Sequence, residues 1–359
     1  MSDTTSYASP LLSLPGALPA HESDPLALGV DSRGVAWHYG DPLAEQRQTA
    51  ESGVFIDRSH RTILRVTGED AAGFLHNLLS QGLAEAPVGF HADALNLDAQ
   101  GRVLHHAGIM RAESGFYLDL PRAQAEGLLS FLTQMIFWSK VEIAESSLGL
   151  ITVLGASPAL IDATPRLAWA RSEGDRIDLA VERADLPEVA EALRAQGLQP
   201  AGLMAWTAHR VHALEPELSA DLDAKTIPHE VPTWIGRGEH LGAVHLEKGC
   251  YRGQETVARV ENIGRSPRLL VRLHLDGSVP VLPAPGTEIT AQERRVGRLG
   301  TVVHDHEFGP IALGLIKRSA LESPGLVAGD AALAVDTDSL PTFEGDKAGR
   351  AAMDRLRGR

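Results

Sequence analysis

The strongest constraint on this chain is a local pattern that occurs twice. "LRVTGEDA" (64–71) and "ITVLGASP" (151–158) each run a strand-like stretch into a glycine and then into a helix or turn. Two copies of one opening suggest two related α+β halves in succession. After Arg268 the texture changes. "RLLVRLHL", "TEITAQERRVGRLGTVVHDH" and "IALGLIKRSAL" are short strand-like runs broken by Gly and Pro. They predict a small β-barrel or sandwich over about 268–335.

Finer signals place the elements. "TILRVTG" (62–68) alternates as a strand, and Phe74, Leu75, Leu78 and Leu79 then recur at helical spacing. Thr67 is the expected N-cap of that helix, with Glu69 and Asp70 in its first turn and Gly82 at its C-cap. "DALNLDAQGRVLHHAGIMRA" reads as two strands turning at Gln100-Gly101. Pro121 opens a helix, and "DLPEVAEALRAQG" is a second one, N-capped by Asp185 and stopped by Gly197. The expected organisation is an irregular lead-in over 1–45, α+β units over 46–146 and 147–266, a barrel over 267–336, and a polar tail over 337–359.

Composition narrows the function. The 33 Lys+Arg against 47 Asp+Glu give a formal charge of -14, which repels phosphate backbones and argues against nucleic acid as the main partner. The single cysteine allows no intramolecular disulfide and no cysteine cluster for a metal, which fits a reducing cytoplasm. The N-terminus shows no signal-peptide pattern, and no run approaches the ~18 apolar residues of a membrane span. His304 and His306 would share a face if "VVHDHEF" ran on as a strand, but no third ligand is evident, so a solvated turn between barrel strands is expected there rather than a metal site. Walker A, H-E-x-x-H and nucleophile-elbow patterns do not occur.

The one cysteine, Cys250, lies in "LEKGCYRGQETVARV" (246–260). Lys248 stands two residues before it, and a helix can start near Gly253, so both a positive charge and free N–H groups would favour a thiolate. A lone cysteine is also a small core residue. The local chemistry leaves both readings open. Tyr251 suits either a core position or stacking on a flat ligand. Arg210, Glu255 and Arg259 read, one by one, as structural.

"KGCYRGQETVAR" (248–259) resembles the signature of the YgfZ family, K-G-C-Y-x-G-Q-E followed by an Arg. The resemblance extends over about 54–320, through "FIDRSHRTILRVTGEDAAGFLHNLLSQ", "LNLDAQGRVLHHAGI", "HRVHALEPE", "IPHEV" and "VGRLGTVV". That family is similar to the glycine-cleavage T-protein, a tetrahydrofolate-dependent aminomethyltransferase. The resemblance implies an aminomethyltransferase folate-binding fold of two α+β subdomains, closed by a C-terminal β-barrel into a three-part ring with a central cavity. It implies tetrahydrofolate or a derivative as ligand, Fe–S client or assembly proteins as partners, and a role in Fe–S cluster assembly or repair. Cys250 would be the key thiol, modulated by Lys248. Arg210, Glu215, Glu230, Tyr251, Gln254, Glu255, Arg259 and Arg265 would serve the folate: Glu215 or Glu230 at the amino-pyrimidine edge, and Arg210, Arg259 or Arg265 at the glutamate tail. His105 and His106 stand where the T-protein has an Asp pair, which argues against aminomethyl transfer by its route. The alternatives are a folate-dependent one-carbon transferase in which other groups replace that pair, and an interaction protein with an inactive site.

Overall fold

The computed structural model describes residues 7–21 and 23–341; residues 342–359 of the expected polar tail lie outside them. The chain opens with β1 (Leu18–Pro19) and β2 (Ala36–His38), then α1 (Pro42–Glu51) and β3 (Val54–Asp57). Next come β4 (Thr62–Thr67), α2 (Ala71–Leu78), β5 (His91–Leu97), β6 (Val103–Ala112), β7 (Gly115–Leu120), α3 (Arg122–Gln134) and β8 (Glu142–Glu145). A second series follows: β9 (Leu148–Leu154), α4 (Leu160–Ala163), β10 (Leu167–Glu173), β11 (Arg176–Glu182), α5 (Leu186–Ala195), β12 (Gln199–Ala201), α6 (Leu203–His212) and α7 (Leu218–Asp221). After α8 (Gln254–Asn262) come β13 (Arg268–Leu275), β14 (Glu288–Ala291), β15 (Arg294–Asp305), β16 (Gly309–Lys317), β17 (Leu326–Ala328) and β18 (Ala331–Val335).

These strands form two five-stranded sheets, ordered β5-β6-β7-β4-β8 and β10-β11-β9-β3-β12, and a closed barrel, β13-β16-β15-β14-β17-β18. The two-halves-plus-barrel architecture is the one expected. One strand crosses the expected division: β3 precedes the whole first sheet in the chain yet lies in the second, between β9 and β12. The first helix also differs at both ends. Thr67 still belongs to β4, and Asp70 is the N-cap. The Asp70 carboxylate accepts from the Lys140 backbone N–H at 2.8 Å and makes no cap bond of its own. The helix ends at Leu78, short of Gly82. Asp185 and Pro121 do occupy the N-cap positions of α5 and α3, though neither makes a side-chain cap bond, and Gly197 has a φ of 93°, as a helix stop requires.

The sheets meet face to face. Ile63, Met110, Ala112 and Tyr117 of the first pack in one buried cluster with Leu148, Leu150, Trp169 and Ala180 of the second. Beside this apolar seam runs an ionic one. Asp93, Gly108 and Asp119 are in register across β5, β6 and β7. Gly108, having no side chain, leaves a slot in that row. Arg171, from β10 of the other sheet, enters it and pairs with Asp119 at 2.8 Å and with Asp178 at 2.8 Å. A Cβ on Gly108 would sit 2.5 Å from Asp119 Oδ2 and 2.8 Å from an Arg171 nitrogen. Gly108→Ala is expected to lower the urea midpoint by the equivalent of about 1–3 kcal/mol. An unchanged midpoint would show that Arg171 does not need the slot.

The barrel is fastened by two arginines, one buried and one half-buried. Arg210 on α6 pairs with Asp221 at 3.0 Å and donates to Thr301 on β15. Arg268 on β13 pairs with Glu230 at 2.7 Å and with Asp223.

Candidate functional site

A cavity of about 470 Å³ opens over the ionic seam. Asp93 of β5, Arg171 of β10, Arg176 and Asp178 of β11, Glu215 beyond α6, and Trp234 line it. Glu173 at the end of β10, Asp175 in the turn before β11 and the loop carrying Glu239 to Gly242 also line it. That loop is anchored at its base, where the buried Ser80 and Gln81 side chains donate to the carbonyls of Ala243 (2.6 Å) and Gly242 (3.0 Å). The volume suits a small organic ligand.

The charges in the cavity are held in place by one another. Asp178 takes Arg171 and Arg176 on one oxygen and Thr152 on the other, at 2.6 Å. Burial would raise its pKa, but Arg176 and Arg171 hold it well below the usual carboxylate range. Arg176 extends the chain to Glu215 at 3.1 Å. Asp93 faces His106 Nε2 at 3.1 Å, and the His106 ring leans on Trp234 with centroids 5.0 Å apart. Burial pushes the Asp93 pKa up; His106 and Arg171 overcome this and hold it at about 2. Burial alone would lower the His106 pKa, but the Asp93 carboxylate overrides that and raises it.

Asp93 is the residue that sequence reasoning missed. A histidine at the position of the T-protein acid suggested a site without a carboxylate. The carboxylate arrives from the neighbouring strand, diagonal to His106 across the hairpin. The alternation of His91, Asp93 and Leu95 within β5 was the available signal.

The expected site residues separate into groups. Glu215 lines the cavity. Glu230 does not: it is buried, with both oxygens on Arg268 and one also accepting from the Ile227 backbone N–H. Arg210 is 1% exposed and engaged by Asp221, Thr301 and, at 3.8 Å, Glu217. Tyr251 lies in the core cluster with Leu95, Leu97 and Val257. Gln254 donates to the Lys248 carbonyl at 3.4 Å, and Glu255, Arg259 and Arg265 are exposed. None of the last five is a cavity-lining residue.

Cys250 is exposed and likewise does not line the cavity. Its loop is held rigidly on both sides. The Lys248 ammonium, 7% exposed, donates to the carbonyls of His76 and, at 2.6 Å, Leu79, and lies 4.7 Å from the Tyr251 ring centroid. It thereby caps the C-terminus of α2, the end where a cation is favoured and where no glycine cap stands. Burial lowers its pKa to about 8. Downstream, Gly253 at φ 83° precedes α8 and abuts Asp98 and Gly101, so the hairpin tip and this loop meet backbone to backbone. Thr256 seals the contact by donating to the Gln100 carbonyl at 2.8 Å. Among the described residues no group of three or more His, Cys, Asp or Glu could hold a metal ion, and no helix is long and apolar enough to cross a membrane.

The fold defines the class. The structure of the glycine cleavage system aminomethyltransferase T from Bartonella henselae superposes with a TM-score of 0.73 at 19% identity, covering 91% of this chain and 95% of that one. The chain thus has the aminomethyltransferase ring, and residues 268–341 match the C-terminal beta-barrel domain of CAF17. Relatives at the sequence level include the tRNA-modifying protein YgfZ of Klebsiella pneumoniae, 25% identical over 66% of this chain and 76% of that protein. A chloroplastic protein of Arabidopsis thaliana with a provisional transferase name is 25% identical over 89% of this chain and 73% of its own length. Barrel, fold and relatives agree with the YgfZ resemblance carried by "KGCYRGQETVAR" and with its kinship to the T-protein.

Two outcomes follow from this geometry. Lys248→Met is expected to leave the α2 carbonyls uncapped and to cost about 1–3 kcal/mol in urea unfolding; no loss would mean the ammonium does not cap the helix. The Asp93–His106 pair is strongest where Asp93 is ionised and His106 protonated. The raised His106 pKa gives stability that is complete below about 6.5 and lost as pH rises through the folded value; that of Asp93 is present above about 3.9 and lost as pH falls toward 2. The Tm gap between the wild type and His106→Gln should therefore be wider at pH 5.5 than at pH 8.5. An equal gap at both would remove the charged pair.

Proposed function

We propose that this protein binds tetrahydrofolate or a derivative in the central cavity and assists Fe–S cluster assembly or repair in client enzymes, with Cys250 as the working thiol. The observation that carries the folate part is the cavity itself, with two carboxylates, Asp93 and Glu215, beside the Trp234 indole. Such carboxylates can accept N–H bonds from an amino-pyrimidine edge, and a flat aromatic suits a pterin ring. The donor set fits the head of the ligand. A folate supplies a one-carbon carrier; Asp93 and Glu215 orient it and Trp234 covers it from water. The exposure of Cys250, outside the cavity, supports contact with a macromolecular partner. Lys248 is a positioning residue that fixes the loop on which the thiol stands. The single cysteine supports a reducing compartment such as the cytoplasm.

A second reading, a one-carbon transferase acting on a small amine or a modified base, is favoured by one feature: the Asp93–His106 pair offers the cavity an acid–base couple in place of the T-protein acids. Titration of the tryptophan fluorescence with tetrahydrofolate should saturate near one equivalent, and Asp93→Asn should weaken binding at least tenfold. No saturable quenching removes the folate reading. Stoichiometric binding without turnover of methylene-folate separates the first reading from the second. Cys250→Ala should fold with unchanged stability and fail to restore Fe–S enzyme activities in a deletion strain; full restoration removes the thiol from the function.

A further inference from the structure

The lips of the cavity carry more negative charge than the cavity's own cations offset. Six carboxylates line it, Asp93, Glu173, Asp175, Asp178, Glu215 and Glu239, against two guanidinium groups, Arg171 and Arg176, and the imidazoles of His91, His209 and His240. Both arginines are already paired, Arg171 with Asp119 and Asp178, and Arg176 with Asp178 and Glu215. Asp93 has His106. Glu173, Asp175 and Glu239 remain, all exposed; Asp175 has only the His209 imidazole acting on it, and burial lowers that imidazole's pKa. The cations expected to receive a glutamate tail are elsewhere: Arg210 is buried against Asp221, and Arg259 and Arg265 lie outside the lining.

We propose that the cavity selects its folate by charge, admitting the pterin head with a short tail and disfavouring polyglutamylated forms. This rests on the folate reading above and names which folate the site takes. Every added glutamate brings one more carboxylate past the lip acids and no cation to meet it. Exposed charges about 10 Å apart interact weakly in water, but three lip acids acting on several tail carboxylates sum to an effect on the order of fivefold at ~0.02 M salt. The effect fades at high salt, because screening then shortens the reach of each charge.

The test uses the full chain and follows tryptophan fluorescence, with Trp234 in the cavity wall. Three probes are titrated: 6-methyltetrahydropterin, which has no tail, tetrahydrofolate monoglutamate, and its pentaglutamate. Each is run at ~0.02 M and ~0.5 M salt, on the wild type and on a Glu173→Gln, Asp175→Asn, Glu239→Gln variant. The expected result is comparable binding of the first two probes and pentaglutamate about fivefold weaker than monoglutamate at low salt. That gap should close at high salt and in the variant. Pentaglutamate binding as tightly as monoglutamate, or more tightly, at low salt overturns the charge selection and leaves the folate reading intact. So does a gap that the variant does not narrow. Failure of all three probes to bind overturns both.

Discussion

The structure depends on one guanidinium. Arg171 crosses from the second sheet to the first and holds Asp119 and Asp178 together. Around it Arg61, Arg58 and Arg176 complete a network in which every carboxylate faces more than one cation. Buried networks of this kind are weak contributors to net stability, since desolvation offsets most of the attraction. Removing a single member is different, because it leaves a buried charge uncompensated, at about 3–5 kcal/mol. The network therefore acts chiefly on geometry. It fixes the angle between the sheets and so the shape of the cavity built on their seam.

Much of this architecture was legible in the sequence. The repeated strand–glycine–helix opening marked the two halves, and the change of texture at Arg268 marked the barrel, because both are set by local periodicity. The start of α8 at Gly253 and the cap of α5 at Asp185 were readable for the same reason. The site was less so. Arg210 and Glu230 resemble ligand-binding residues in type, yet each is already engaged inside the protein, Arg210 by the Asp221 carboxylate and the distant Thr301 hydroxyl, and Glu230 by Arg268. Asp93 and Arg171, which do line the cavity, lie in unremarkable strands. Their importance comes from a register between strands and a contact between sheets, and neither has a local signature.

The motif around Cys250 carries more structure than its chemistry alone would require. Lys248 closes a helix of the first half, Gly253 fits against the hairpin tip, and Glu261 near the end of α8 holds Arg237 with both oxygens, at 2.8 and 2.7 Å. Arg237 opens the loop whose residues 239–242 line the cavity. A single short helix therefore joins the thiol's loop to one lip of the cavity, which gives the two a physical connection although Cys250 does not line it.

The placement of β3 bears on how such a chain can be assembled. Residues 54–57 emerge before any strand of the first sheet, but their partners, residues 151–154 on one side and 199–201 on the other, come much later. During synthesis the first sheet can close by itself while this short apolar strand waits for its own. A fragment starting at Leu148 would have β9 and β12 with a one-strand gap between them, exposing hydrogen-bonding edges that invite pairing with another copy. The two halves look like modules in sequence, yet the second cannot be made whole without a piece of chain that lies upstream of the first.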